Sequence, residues 1–138
     1  TFLPVLTLSL PSVLGLYFWL DFIRASVSEQ KTIVDKHNNL RRGVQPTASN
    51  MLKMNRGATS GKTRGGGCLF VNNSWSSGCG ENLYMASYKS SWSNVIQAVF
   101  IGHYTQVVWY RSNQISCAMA HCPNSNYKYF YVCHNCSP

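Results

Sequence analysis

All six cysteines of this 138-residue chain lie between Cys68 and Cys136. An even number of clustered cysteines is typical of a disulfide framework formed in an oxidising compartment. A zinc site is the alternative, but only Cys133 and Cys136 stand in finger spacing, and no second such pair faces them. The cysteines therefore predict a small domain whose fold is held together by disulfides.

The N-terminal segment also favours an oxidising compartment, because it has features of a secretory signal. Residues 1–20 carry no charged side chain, which is typical of the apolar part of a secretory signal. The stretch is also long enough to span a bilayer, so a membrane anchor is the alternative, although Pro4 and Pro11 disfavour one continuous helix. We predict that residues 1–25 are a signal peptide or apolar leader and that the protein is secreted and extracellular.

The last third of the chain predicts a β-hairpin. Residues 114–122 alternate between apolar and polar side chains, and residues 127–133 are rich in aromatic and β-branched ones. The sequence Pro-Asn-Ser-Asn at 123–126 is typical of a turn. We expect an antiparallel pair of strands centred near Ser125.

This hairpin constrains the disulfides. In a register centred on residue 125, opposed residues have numbers that sum to 250, as those of Cys117 and Cys133 do. Opposed Cβ atoms lie roughly 4.5 to 5.5 Å apart, close to what a disulfide needs. Cys122 is five positions from Cys117 and points to the other face. Three pairings remain open among the other four cysteines.

Two amphipathic helices precede the hairpin. Residues 28–42 have helical periodicity, with Thr32 and Asp35 as a possible capping box and Gly43 as the end. A second helix begins near Trp92, with a serine at 90, 91 or 93 as its cap. Residues 103–110 fit either a short helix or a strand.

Residues 56–78 have a different composition, rich in glycine and poor in apolar periodicity, and predict an irregular insert. Asn72 begins a glycosylation sequon there. Eight of the twelve Lys and Arg residues lie between Lys31 and Arg64 in a chain of net charge +8. A membrane surface, a glycan or a nucleic acid would be attracted, but a solvated basic face is favoured, because no aromatic residue stands among these charges.

Five blocks of sequence resemble the CAP superfamily, and the mammalian cysteine-rich secretory proteins in particular. The block at 102–109 (GHYTQVVW) resembles the main CAP signature, and YVCHNC at 131–136 resembles the second. Three more blocks match the mammalian branch closely: residues 33–41, residues 48–54, and CGENLYM at 79–85.

The resemblance implies an α+β fold of the CAP type, an α-β-α sandwich, over residues 28–138. It also implies three disulfides: Cys68–Cys122, Cys79–Cys136 and Cys117–Cys133. The helix that usually follows the block at 48–54 is replaced by the basic, glycine-rich sequence of the insert, so we expect the sandwich to be incomplete.

The family's cavity carries two histidines and two acids that often hold zinc. His103 and Glu81 match one of each, whereas residues 69–78 contain no histidine and the second acid-bearing segment is absent after Ala98. Because zinc sites ordinarily need three or four protein ligands, we expect no tight zinc binding and no other cofactor. His103 and Glu81 remain the candidate cavity residues.

The function implied by the resemblance is a secreted, non-enzymatic binding module linked to sperm maturation or reproductive-tract secretion. The expected partner is a protein, a sterol or a membrane surface, and not a nucleic acid. No ion-channel block is expected, because relatives owe it to a separate C-terminal domain. The alternatives are a poorly folded, non-functional variant and, less favoured, a hydrolase using Glu81 and His103.

Several other side chains receive structural interpretations. His37 is expected to be a hydrogen-bonded core residue and His121 to be incidental. The aromatic residues Tyr104, Trp109 and Tyr110 are expected to belong to the core rather than to a ligand cage. A further departure from the family is an asparagine at 135, where an aromatic residue is usual between the last two cysteines.

Overall fold

A computed structural model describes residues 23–57 and 79–137. In this part of the chain five strands form one sheet and helices pack against it. The helices are α1 (Val27–Arg42), α2 (Trp92–Gly102) and α3 (Tyr104–Val107), and the strands are β1 (Ile23–Arg24), β2 (Asn55–Arg56), β3 (Gly80–Ala86), β4 (Gln114–His121) and β5 (Tyr129–Cys136). The mixture of helices with a mainly antiparallel sheet confirms the α+β class.

Strands β4 and β5 form the predicted hairpin. Their opposed residues sum to 250 throughout, from Gln114 opposite Cys136 to His121 opposite Tyr129. Cys117 lies directly opposite Cys133, and a disulfide joins them with their Cα atoms 4.2 Å apart. The register read from the sequence is therefore confirmed.

A second predicted disulfide fastens β3 to β5. The two strands pair along their whole length, from Gly80 opposite Asn135 to Ala86 opposite Tyr129. Just before β3, Cys79 bonds to Cys136, 57 positions later. In the loop-entropy model such a closure contributes about 4 kcal/mol, so this bond is a large part of the stability of a domain this small.

Cys122 lies on the sheet face opposite Cys117, as predicted. It packs in a small buried cluster with Ala120 and Phe130, separate from the main core that contains Cys117. It is disulfide-bonded, and its predicted partner, Cys68, lies outside the described residues.

The described helices all pack on one face of the sheet. Their apolar side chains and alternate positions of β4 and β5 form one core, which includes Ile33, Trp92, Val95, Ile96, Val99, Val107, Ile115, Cys117, Tyr131 and Cys133. On the opposite face, Leu83 and Met85 are 37% and 40% exposed. Residues 23–57 and 79–137 thus supply the sheet and one helical layer of the sandwich.

Helix α1 has a capping box, but not the predicted one. The backbone N–H of Glu29 donates to Ser26 Oγ (3.3 Å), and the backbone N–H of Ser26 donates to the Glu29 carboxylate (2.8 Å). Because the helix already begins at this point, Thr32 and Asp35 lie inside it and the prediction that they form the box is wrong. Gly43 ends the helix as predicted.

The remaining helix predictions fit the structure. Helix α2 begins at Trp92, and Ser91 caps it by accepting a hydrogen bond from the backbone N–H of Asn94 (3.3 Å). The ambiguous residues 103–110 contain the short helix α3. The helical alternative is therefore the right one there.

The folded part begins by residue 23 rather than at residue 28, because β1 pairs with β4 and places Ile23 opposite Met119. The rest of the predicted leader lies outside the described residues. Of the helices that the structure does describe, none combines the length and the apolar character needed to cross a bilayer.

One buried side chain, Arg41, joins α1 to two irregular segments. Its guanidinium donates to the carbonyl oxygens of Val107 (2.8 Å), Trp109 (2.9 Å), Leu52 (2.6 Å) and Ser112 (3.0 Å). Only 4% of the residue is exposed, and this desolvation lowers the pKa of Arg41. The four carbonyls belong to residues outside regular strands or at the end of α3, so the guanidinium supplies the donors that a sheet would otherwise provide.

Replacing this guanidinium should destabilise the fold. Arg41→Lys keeps the charge but cannot hold four carbonyls in the same planar arrangement, and we expect a loss of about 2 to 4 kcal/mol in the free energy of unfolding. The exposed neighbour provides the control, since Arg42→Lys should change stability by less than about 0.5 kcal/mol. Urea denaturation measures both, and equal effects of the two changes would contradict the role of Arg41.

Candidate functional site

Glu81, one of the two predicted cavity residues, is paired with His134. The residues lie opposite each other in β3 and β5, and Glu81 Oε2 is 2.9 Å from His134 Nε2. The His134 side chain is mostly buried, whereas that of Glu81 is 38% exposed. The pairing follows from the register between β3 and β5, two strands that are far apart in the sequence.

His103, the other predicted cavity residue, lies between α2 and α3 with an exposed side chain. Its backbone N–H donates to the Val99 carbonyl oxygen (2.7 Å) and closes α2. No hydrogen bond or ion pair joins it to Glu81 within the described residues, and that part of the chain contains no group of three His, Cys, Asp or Glu side chains able to hold a metal. Within the described residues, the bonded partner of the Glu81 carboxylate is therefore His134 rather than His103.

Two segments that carry the family resemblance meet instead at Gly80 and Gln106. A Cβ atom at position 80 would lie 1.4 Å from Gln106 Nε2, so only glycine leaves room for this side chain against the start of β3. Beside the contact lies a cleft of about 290 Å³, here called the polar cleft. It is lined by Gly80, Thr105, Gln106, Trp109, Ser112, Asn135 and Ser137.

The floor of the polar cleft contains Asn135, the residue that departs from the family pattern. Asn82 Nδ2 donates to Asn135 Oδ1 (3.3 Å), and the two residues are 1% and 3% exposed. The side-chain NH₂ of Asn135 makes no hydrogen bond within the described part of the chain. Leaving a buried donor unpaired costs roughly 1 to 3 kcal/mol, so this amide is a costly feature of the cleft.

The aromatic residues near the cleft are exposed, contrary to the prediction that they belong to the core. Tyr104, Trp109 and Tyr110 are 43%, 52% and 39% exposed. Trp109 packs against Tyr110 with ring centroids 5.6 Å apart. In the core, the aromatic rings are those of Trp92 and Tyr131, which meet edge to face with their centroids 5.2 Å apart. The aromatic residues at 104, 109 and 110 lie on the surface instead.

The two other interpreted histidines have structural roles. His37 is fully buried, and its Nδ1–H donates to the Ile33 carbonyl oxygen (2.8 Å), as expected of a hydrogen-bonded core residue. Burial, the largest cause, lowers the pKa of His37 to about 4, so the ring is neutral near pH 7. His121 is exposed and stacks on Tyr129 at 4.7 Å.

A larger groove of about 600 Å³ lies between β1 and the N-terminal ends of α1 and α2. Its floor includes Trp92 and Tyr131. The Tyr131 hydroxyl accepts from the Ser90 backbone N–H (2.8 Å) and donates to the Ser90 carbonyl (3.1 Å), and burial raises the pKa of Tyr131. Neither Glu81 nor His103 lines this groove.

The predicted glycosylation site at Asn72 and most of the insert at 56–78 lie outside the described residues. Two residues of the insert are described. Arg56 ends β2, which pairs with β4 in parallel, and the N–H of Gly57 donates to the Ile115 carbonyl (2.8 Å). The sheet therefore extends slightly into the segment predicted to be irregular.

The model of the cysteine-rich secretory protein family, CAP, matches residues 36–135. The chain belongs to the CAP family. The cysteine-rich venom protein helothermine of Heloderma horridum horridum is 43% identical over 136 aligned positions, which cover 78% of this chain and 56% of that protein. This CAP chain thus spans about half the length of that relative.

A solved structure is similar to the CAP domain in fold. The crystal structure of NaASP2 with Zn²⁺ superposes with a TM-score of 0.59 over 80% of each chain. Sequence identity is 18%, so this similarity concerns the fold alone. Together with the arrangement of helices and strands, it confirms the CAP fold expected from the signature blocks.

The contact between Gly80 of the block at 79–85 and Gln106 of the main CAP signature gives a testable prediction. Gly80→Ala should force Gln106 out of its position and destabilise the domain, whereas the same change in a Gln106→Ala background should be neutral or stabilising, because alanine is favoured over glycine in a strand. A double-mutant cycle by urea denaturation should give a coupling energy of about 1 kcal/mol. Gly102→Ala is the control, because nothing lies within 4 Å of a Cβ atom at that position, so this change should not be coupled to Gln106→Ala. Additive effects of the substitutions at 80 and 106 on the free energy of unfolding would contradict the contact.

Proposed function

We propose that this CAP domain is a secreted, non-enzymatic binding module of the cysteine-rich secretory protein type. Family membership and the two disulfides in the described residues support an extracellular location. The close match of several sequence blocks to the mammalian branch supports a role in sperm maturation or reproductive-tract secretion.

The observation that carries the non-enzymatic part of this proposal is the pairing of Glu81 with His134 at 2.9 Å. A general acid–base pair must place both groups within reach of one reacting atom. Here the carboxylate is held by its cross-strand neighbour, while His103 follows α2, which packs on the other face of the sheet from Glu81. This arrangement disfavours a hydrolase that uses Glu81 and His103.

The proposed partners are a protein, a sterol or a membrane surface. In the described residues the acids are Glu29, Asp35 and Glu81; Asp35 forms an ion pair with Lys31, and Glu81 is hydrogen-bonded to His134. The basic surface therefore favours a partner with negative charge. We propose neither nucleic-acid binding nor ion-channel block for this domain.

Tight zinc binding is not expected. Calorimetric titration of the secreted chain with Zn²⁺ should give no submicromolar affinity, because the Glu81 carboxylate is already bonded to His134 and a zinc site ordinarily needs three or four protein ligands. Glu81→Gln and His103→Ala should leave the small binding heat unchanged. A submicromolar affinity that either substitution abolishes would overturn this expectation.

Secretion tests the proposed function against its alternatives. The full chain, expressed in cultured mammalian cells behind a secretion signal, should reach the medium with its disulfides formed, as read by non-reducing mass spectrometry. Retention in the cells would favour the poorly folded, non-functional variant. The double substitution Cys117→Ser and Cys133→Ser serves as the retained control, since losing such a bond from a small secreted domain typically costs about 2 to 5 kcal/mol.

The secreted protein should also show no peptidase or esterase activity above that of His103→Ala. Both proteins are assayed at equal concentration on the same substrates. An activity present in the unmodified chain and lost in both His103→Ala and Glu81→Gln would establish the hydrolase alternative instead.

A further inference from the structure

A second glycosylation sequon lies inside the folded domain. Asn135, Cys136 and Ser137 form an Asn-x-Ser tripeptide, and the only other such tripeptide in the chain begins at Asn72. The first two residues of this sequon belong to β5, which lies between β3 and β4 in the sheet. A sequon that carries a glycan is normally on the surface, because the glycan is bulky and hydrophilic, whereas this one lies in an inner strand.

The acceptor atom of this sequon, Asn135 Nδ2, is inaccessible in the folded domain. The residue is 3% exposed, and its Nδ2 atom is buried without a hydrogen-bond partner in the described residues. The Oδ1 atom of the same amide accepts a hydrogen bond from Asn82 Nδ2 (3.3 Å), and Asn82 is 1% exposed. An enzyme that meets the folded domain therefore cannot reach the nitrogen to which a glycan is attached.

Strand pairing holds Asn135 from both sides. The residue lies opposite Gly80 in β3 and opposite Ile115 in β4, and the bond between Cys79 and Cys136 joins the positions next to it. A sugar ring on the buried Nδ2 atom would need room that a packed interior lacks. A glycan at this position and the native pairing of β5 therefore exclude each other.

We propose that Asn135 is an N-glycosylation site of the unfolded chain and that folding withdraws it. The proposal rests on the secretory location in the proposed function and adds a modification to it. In the chemical step, Asn135 Nδ2 attacks the anomeric carbon of an oligosaccharide carried on a lipid pyrophosphate. The bond between carbon and nitrogen forms, the bond from that carbon to the pyrophosphate oxygen breaks, the lipid pyrophosphate leaves, and one amide proton passes to a base of the transferase.

Disulfide formation and glycosylation then compete for the same short stretch of chain. Cys136 must find a partner 57 positions earlier, so its bond forms only after a long loop has closed. Until that closure, the Asn135 amide and the Ser137 hydroxyl are open to the transferase. A chain that is glycosylated first cannot place β5 between β3 and β4, and it is retained in the cell as a misfolded protein.

Ser137 allows the sequon to be removed without disturbing the fold. The residue is exposed and follows the last residue of β5. Ser137→Ala abolishes the sequon, whereas Ser137→Thr keeps it. Substitutions at exposed positions of this kind usually change stability little, so the two variants form a matched pair that differs in the acceptor signal.

The test follows Asn135 in the full chain, expressed in mammalian cells behind a secretion signal. Trypsin cuts after Lys128, so Asn135 is read in the peptide that begins at Tyr129, separately from Asn72. Treatment with peptide N-glycosidase in heavy-oxygen water converts a glycosylated asparagine to a labelled aspartate, which mass spectrometry counts. Chain collected from the medium should carry no glycan at Asn135.

Preventing the disulfide should open the site. Cys79→Ser leaves the tripeptide intact but removes the partner of Cys136. The glycosylated fraction at Asn135 in the cell-associated chain should rise at least about fivefold, because losing such a bond often unfolds a small secreted domain. Brief treatment of the cells with dithiothreitol should raise this fraction in the unmodified chain as well. Ser137→Ala should abolish the glycan under both conditions, and Ser137→Thr should retain it.

Two results would overturn the proposal. One is a molecule that carries both the bond between Cys79 and Cys136 and a glycan at Asn135. The other is the absence of this glycan from the Cys79→Ser variant and from the chain in cells treated with dithiothreitol.

Failure of this proposal and failure of the proposed function are distinguishable. A chain that is secreted but never glycosylated at Asn135 contradicts the modification alone. If the unmodified chain and Ser137→Ala are both retained in the cell, the secreted function fails, and the glycan in the cell-associated chain still decides the modification.

Discussion

The arrangement of this domain depends on Arg41. Helix α1 is built from residues that any amphipathic helix would use, but the segments around Leu52 and between Val107 and Ser112 have little regular structure of their own. Four of their carbonyls converge on one buried guanidinium. Because Trp109 and Ser112 also line the polar cleft, the last turn of α1 fixes the geometry of a site to which it contributes no side chain.

The parts of the fold that the sequence predicts are those governed by local rules. The turn at 123–126 centres the hairpin, and the centre in turn determines which cysteines are opposed. Helical periodicity and the glycine at 43 predict a helix over residues 28–42, and α1 begins one residue earlier, at Val27. The observed capping box also obeys a local rule, since Ser26 and Glu29 have the same spacing as Thr32 and Asp35.

The candidate site was harder to predict because its contacts are not local. Glu81 meets His134 through the register of two strands that no short turn connects, so no rule of spacing applies to them. The density of aromatic residues at 104–110 suggests a core, yet the core volume is already occupied by Trp92 and Tyr131. Family resemblance selected Glu81 and His103 as cavity residues, but it gave no indication that the Glu81 carboxylate would bond to His134 across the sheet.

The outer edge of β4 has a consequence for solubility. Two strands of only two residues each cover it: β1 lies against Ala118 and Met119, running antiparallel, and β2 lies against Gln114 and Ile115, running parallel. Exposed strand edges recruit further chains and lead to aggregation. Because β1 and β2 are short and run in opposite directions along β4, they do not present one continuous strand edge there. A second molecule therefore has no long edge at this side of β4 with which to pair a strand.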